Sequence, residues 1–279
     1  MQKEERRNAS ANIPGTEPDN KNEEKMKVAG KNIVITGGAS GIGKALAERF
    51  RAEGAAGITV ADLTADTLEE VAKSIDGLAV PCDVSKEADI QTLVKKAEDA
   101  YGPIDIFVSN AGIARYGWEE TPDEIWDQNW RIHVMAHVFA ARAVIDKMVE
   151  RGSGYLINTA SAAGLLSQID SSSYATTKHA AVAFAETLAI RYGDKGVRVS
   201  VLCPQQVKTA MTANRAGSVS DVDGTLEPEE LADCVIETMD KEEFLILPHP
   251  QVLDYMRRKT SDYDRWLGGM RKLRDRFLG

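Results

Sequence analysis

Seven short apolar runs between residues 32 and 247, separated by stretches with helical periodicity, constrain this chain more than any other feature. The runs are Asn32–Thr36, Ile58–Asp62, Leu78–Val80, Ile104–Val108, Gly154–Thr159, Val197–Cys203 and Phe244–Leu247. Each is short enough for a strand buried on both faces. Between them lie Ile42–Glu53, Thr64–Ile75 with Thr64 as its expected cap, Ser85–Tyr101, Pro122–Arg151 as one long or two joined helices, Ser172–Tyr192 and Pro228–Asp240. Strand–helix alternation of this length implies a mainly parallel sheet covered by helices on both faces. Right-handed crossovers then wind the chain both ways from a central strand. The expectation is a single doubly wound α/β domain with a seven-stranded sheet over residues 28–247. A C-terminal helical extension follows over residues 248–279. Met1 to Lys27 is almost entirely polar and reads as a disordered tail, with order expected to begin near Lys31.

The formal net charge is -9, which argues against general affinity for nucleic acid, because phosphate backbones demand clustered Lys and Arg. It leaves room for a phosphate-bearing cofactor held by backbone amides. Cys82, Cys203 and Cys234 lie far apart, so neither a metal site nor a disulfide framework follows. With no signal-peptide core and no membrane-length apolar run, a reducing cytoplasm is the expected compartment.

The first strand runs into Thr36-Gly37-Gly38-Ala39-Ser40-Gly41-Ile42-Gly43 and opens directly onto a helix. Glycines there permit a tight turn and a close backbone approach to a pyrophosphate, while the helix N-terminus offers free N–H groups. Nineteen residues beyond Gly43, Asp62 ends the second strand, with Leu63 beside it. A carboxylate in that place accepts hydrogen bonds from ribose hydroxyls and repels a 2′-phosphate. The expected cofactor is therefore NAD rather than NADP.

Tyr174 and Lys178 are four apart on an expected helix and share one face. A free phenol has a pKa of about 10, and a neighbouring ammonium favours its phenolate. Such a Tyr can take or give the proton of an alcohol as hydride moves. Ser161, thirteen residues upstream and just past the fifth strand, can hydrogen-bond the substrate oxygen.

The chain resembles the short-chain dehydrogenase/reductase family over roughly Val28 to Leu247. The Thr-Gly-x-x-x-Gly-x-Gly turn at Thr36–Gly43, Asp83-Val84, Asn110-Ala111-Gly112, Ser161 and Tyr174-x-x-x-Lys178 carry the likeness in the family's order. The resemblance implies a Rossmann-type domain. Asp83 and Val84 would lie at the adenine, and Asn110, Ala111 and Gly112 would border the cofactor. Ser161 would position substrate, Tyr174 would be the acid/base, and Lys178 would hold the nicotinamide ribose. Pro204 opens a stretch in which Val207 and Thr209 would touch the carboxamide. The long helices resemble the surfaces through which the family forms homodimers and homotetramers.

Two positions depart from the pattern. His133 stands where the family has Asn, and a histidine titrating near neutrality could replace it in a proton relay. Gln205 stands where Gly is usual. Residues 113–118, 162–173 and 205–225 should line the substrate pocket, with Trp118, Leu165, Leu166 and Met211 as apolar surface. Arg115 reads as a solvated loop residue. Without a basic cluster in those stretches, a small neutral hydrophobic alcohol or ketone is expected. The extension carries apolar and basic residues together, so it could cover the cleft, meet a partner subunit or touch a membrane surface. The readings are an NAD-dependent alcohol dehydrogenase, a carbonyl reductase using the same residues in reverse, or a catalytically silent dinucleotide sensor.

Overall fold

The computed structural model describes residues 25–213 and 218–279. The strands are β1 (Asn32–Thr36), β2 (Gly57–Asp62), β3 (Leu78–Pro81), β4 (Ile106–Ser109), β5 (Gly154–Thr159), β6 (Val197–Leu202) and β7 (Leu245–Ile246). The helices are α1 (Gly41–Ala52), α2 (Ala65–Ser74), α3 (Glu87–Tyr101), α4 (Asp123–Trp130), α5 (Ala136–Arg151), α6 (Ala163–Leu166), α7 (Ser172–Tyr192), α8 (Pro228–Met239), α9 (Gln251–Ser261) and α10 (Tyr263–Leu278). All strands pair in parallel, in the order β3-β2-β1-β4-β5-β6-β7. The order reverses between β1 and β4, and a crevice opens there beyond the strands' carboxyl ends.

Two apolar cores form because central strands must be covered on both faces. Phe107 and Leu156 join the core beneath α3, α5 and α7, which supply Leu93, Phe139, Met148 and Leu188. Ile33, Ile35, Ile58 and Ile157 join the opposite core, where α1, α2 and α8 supply Leu46, Phe50, Leu68 and Val235. The predicted helix at residues 122–151 is continuous but not uniform, because Arg131–Met135 forms a π-turn between α4 and α5. Such a widened turn re-aims the side chains that follow it.

Other details depart from expectation. Thr64 occupies the cap position of α2 without a side-chain cap hydrogen bond. The short helix α6 and the brevity of β7 had no clear periodic signal. Most of the predicted disordered tail lies outside the described residues, but its last three are held against the end of α8. Lys25 Nζ donates to the Lys241 carbonyl, Met26 N–H donates to Glu242, and Lys27 pairs with Asp240 at 2.8 Å. Order thus includes Lys25, ahead of the expected Lys31.

The turn from β1 into α1 is set by contact between backbones. A Cβ on Gly43 would stand 2.1 Å from the Gly37 carbonyl oxygen, so only glycine lets α1 begin this close to the turn. Gly43→Ala should destabilise the fold by about 1–3 kcal/mol, lowering Tm by several degrees in calorimetry. An unchanged Tm would mean that the turn relaxes freely.

Candidate active site

The carboxyl ends of three neighbouring strands are knitted together by side chains. The Thr36 hydroxyl, at the end of β1, accepts hydrogen bonds from the N–H groups of Asn110 (3.0 Å) and Ala111 (3.1 Å). The Asn110 amide donates back to the Thr36 carbonyl at 3.1 Å and accepts from the Thr159 hydroxyl at 3.2 Å. One Asn thus joins β1, β4 and β5. The Thr159 carbonyl then accepts the Lys178 ammonium at 3.3 Å.

Helix α7 brings Tyr174 and Lys178 to this edge. Its cap is Ser171, whose hydroxyl accepts from Tyr174 N–H at 3.2 Å and from Gly117 N–H at 3.3 Å. Those bonds tie the helix start to the 113–118 loop. Lys178 Nζ lies 5.6 Å from the centroid of the Tyr174 ring, as the i, i+4 spacing predicts. Lys178 is only 4% exposed, and burial lowers its pKa to about 8. Ser161 follows β5, and its hydroxyl accepts from Ala163 N–H at 3.1 Å. Helix α6 can lie against α7 because Gly164 has no side chain; a Cβ there would meet the Lys178 carbonyl oxygen at 2.5 Å.

These residues face a cavity of about 930 Å³. Gly37, Ser40, Gly41, Ile42 and Asp62 line one end, and Ser161, Tyr174 and Lys178 line the centre. Asn110, Ala111, Gly112, Pro204, Val207 and Thr209 lie along its wall. The cavity has the features that a dinucleotide needs. Ser40 caps α1 without a side-chain hydrogen bond, leaving the helix N-terminus open to an anion. The Asp62 carboxylate, fixed by N–H groups of Ala39 (3.2 Å) and Leu63 (2.7 Å), borders the same space.

Some expected site residues stand back from the cavity. Thr36 and Gly43 shape the turn from behind. Leu63 is 70% exposed and is not part of the cavity wall. Asp83 and Val84 also lie off it. The Asp83 carboxylate is held by Ser85 N–H and hydroxyl and by Lys86 at 3.2 Å. Burial works upward on its pKa, but these partners outweigh it and the pKa is lowered.

His133 sits in the π-turn, fully buried. Its Nδ1 is 3.0 Å from the Thr177 hydroxyl, and its Nε2 is 3.0 Å from the Ile113 carbonyl oxygen and 3.2 Å from Ile113 N–H. Its ring stands edge-on to Tyr174 with centroids 5.4 Å apart. Burial, aided by the Lys178 charge, lowers its pKa to about 2. The expectation of titration near neutrality therefore fails, because a charged imidazole here would lose its hydration beside an ammonium. His137, one turn on and equally enclosed, is lowered to about 3 for the same reasons.

On the substrate side, Leu166 and Met211 line the cavity as expected, whereas Leu165 and Trp118 do not. Trp118 borders a second, smaller cavity of about 350 Å³. Arg115 is exposed and off the wall. Tyr116, within the 113–118 stretch expected to line the pocket, does so with its ring centroid 5.3 Å from that of Tyr174. Of the places expected for the extension, the structure has it over the cleft. Its two helices place Tyr255, Arg258, Arg265, Trp266, Met270 and Leu273 on the wall.

Sequence comparison now decides the family: the short chain dehydrogenase profile matches residues 31–218. The chain belongs to the short-chain dehydrogenase/reductases, oxidoreductases acting on alcohols and ketones. It is 34% identical to 1-deoxy-11-beta-hydroxypentalenate dehydrogenase of Streptomyces exfoliatus, across 85% of this chain and 90% of that one. It is 35% identical to 3beta-hydroxysteroid dehydrogenase 2 of Eggerthella lenta, across 65% and 73%. A short-chain dehydrogenase/reductase from Burkholderia phymatum, solved with NAD, superposes with a TM-score of 0.78 at 28% identity, covering 86% of this chain and 96% of that one. Among the described residues no His, Cys, Asp or Glu cluster is arranged to hold a metal, and no helix is long and apolar enough to cross a membrane.

Two outcomes follow from the buried basic groups. Lys178 has an ordinary pKa of 10.5 and a folded value of about 8, so the unfolded chain binds more protons between those values. Stability should rise with pH across that window. Lys178→Met should abolish turnover yet raise unfolding free energy at pH 7 by on the order of 1–3 kcal/mol, a gain that fades by pH 10.5. Urea melts at several pH values check this; destabilisation at pH 7 would refute it. For His133 and His137 the folded values also lie below the ordinary 6.5. Stability should then be full above pH 6.5 and decline as pH falls below it, and His137→Gln should flatten that decline.

Proposed function

We propose that this protein is an NAD-dependent oxidoreductase that interconverts a secondary alcohol with its ketone, or a primary alcohol with its aldehyde. The observation that carries the reading is the shared cavity. It joins the Gly-rich turn and Asp62 at one end to Ser161, Tyr174 and Lys178 at the other. A nicotinamide dinucleotide held there would supply the hydride acceptor or donor. Gly37, Ser40, Gly41, Ile42 and Asp62 would hold the adenosine end, with Thr36 and Gly43 shaping their turn from behind and Leu63, Asp83 and Val84 set back from the wall. Asn110, Ala111, Gly112, Pro204, Val207 and Thr209 flank the nicotinamide end. The family names of two relatives, a hydroxysteroid and a hydroxypentalenate dehydrogenase, support chemistry at a hydroxyl carbon.

Ser161 orients the substrate oxygen, its own hydroxyl steadied by the α6 backbone. The Tyr174 hydroxyl takes the alcohol proton in oxidation and returns it in reduction. Lys178, close to neutral pH in its own titration, biases Tyr174 toward phenolate and passes the proton onward. His133 serves the relay by position. Its two bonds fix the π-turn against Thr177 and the Ile113 backbone, and hence fix the ring against Tyr174. Ile190, 82% exposed on α7, is an apolar contact that a homodimer or homotetramer would bury.

NADH formation with a panel of apolar secondary alcohols tests the reading. Tyr174→Phe should lower kcat by about 10²–10⁴-fold while leaving NAD affinity within a few-fold. NAD should exceed NADP in kcat/KM by at least about tenfold, because Asp62 repels a 2′-phosphate. Tight NAD binding with no turnover of any alcohol or ketone would support a silent sensor instead.

A further inference from the structure

Helix α10 has no buried residue, although Trp266, Met270 and Leu273 turn toward the cavity. Its apolar face therefore lines the cavity, with Trp266 packed on the cluster of Ala162, Leu166 and Val252. Helix α9, in contrast, is fastened at two points. The Lys259 ammonium, buried to 9% exposure, donates to the Leu165 carbonyl at 2.7 Å and lies 3.3 Å from His179. The Tyr255 hydroxyl donates to Asp223 at 2.9 Å, across the cavity mouth. The corner between the helices is thus a fixed wall, and it carries Arg258 and Arg265.

Among the described residues these two exposed arginines are the ones that line the cavity, and their guanidinium groups have no carboxylate partner. Arg49, Arg142, Arg198, Arg257 and Arg274 each meet a carboxylate within 4 Å. Arg258 stands 5.8 Å from the Tyr255 ring, which holds its guanidinium at the wall. The Asp262 carboxylate borders the same cavity, occupied on one oxygen by Arg265 N–H at 3.0 Å. Asp223 is engaged by the Tyr255 hydroxyl and Asp262 by a backbone N–H, so neither carboxylate pairs with the two guanidinium groups, whose forks suit a carboxylate.

Resting on the reading that this cavity holds an alcohol substrate, we propose that the substrate is an amphipathic acid. Its apolar body lies under Trp266, Met270 and Leu273, and its single anionic group is received between Arg258 and Arg265. The neutral substrate expected from the sequence came from the three loops alone. The basic residues arrive from an extension more than fifty residues past most of them.

Binding of dodecanoate and methyl dodecanoate to the full-length protein saturated with NAD tests this, read by calorimetry. These probes report binding without turnover, so a failure here is separate from a failure of the catalytic assay. The acid should bind about tenfold more tightly than the ester at low salt, with the gap narrowing as salt rises. Arg258→Gln with Arg265→Gln should remove the gap and leave ester binding unchanged. Asp262→Asn, which keeps a capping side chain, should tighten acid binding a few-fold. Equal binding of acid and ester, no binding of either, or an arginine variant that weakens both alike would overturn the proposal.

Discussion

The amide of Asn110 is the point on which the site depends. Parallel strands end in a row of carbonyl and N–H groups that the sheet no longer pairs, and each must find a partner. Asn110 supplies two donors and an acceptor in one side chain and spends them on β1 and β5. Thr36 answers by accepting from the backbone of Asn110 and Ala111. The result is a fixed crevice beside the switch in strand order. From that frame Thr159 presents its carbonyl to Lys178, so the lysine's place follows from the sheet edge as much as from its own helix.

Burial then sets the chemistry. Lys178 is buried with a backbone carbonyl as its hydrogen-bond acceptor, and desolvation draws its pKa down to about 8. That ammonium governs its surroundings: it disfavours charge on His133 and His137, already disfavoured by burial. Three cationisable groups share one interior, and the arrangement persists because two of them stay neutral. Cys82 and Cys203, also enclosed, have thiols pushed up to about 12 and are inert for the same reason.

The extension changes the character of the cavity. Without α9 and α10 the crevice would have loops and the short helix α6 as its outer wall. With them it has a basic corner and an apolar roof of Trp266, Met270 and Leu273. Lys259 and His179 show how the corner is held: an ammonium taken from water is tolerated where a carbonyl oxygen receives it at close range.

Much of this was legible in the residues. The glycines around Gly37 and Gly43, the carboxylate nineteen residues on, and the Tyr174–Lys178 spacing each encode a local geometry. Local geometry is what periodicity and steric freedom report. The parallel sheet followed because apolar runs without alternation must be covered on both sides. What tertiary structure decided concerns residues distant in sequence. His133 looked like a titrating relay member, and enclosure beside Lys178 removed that property. Thr36 and Leu63 looked like cavity residues, and the turn's path placed them elsewhere. Arg258 and Arg265 belonged to an extension whose place, over the cleft, on a partner or at a membrane surface, its own residues left open, and the fold brought it over the cavity. Burial and the approach of remote chain segments set pKa values and pocket walls, and neither is a property of a window of sequence.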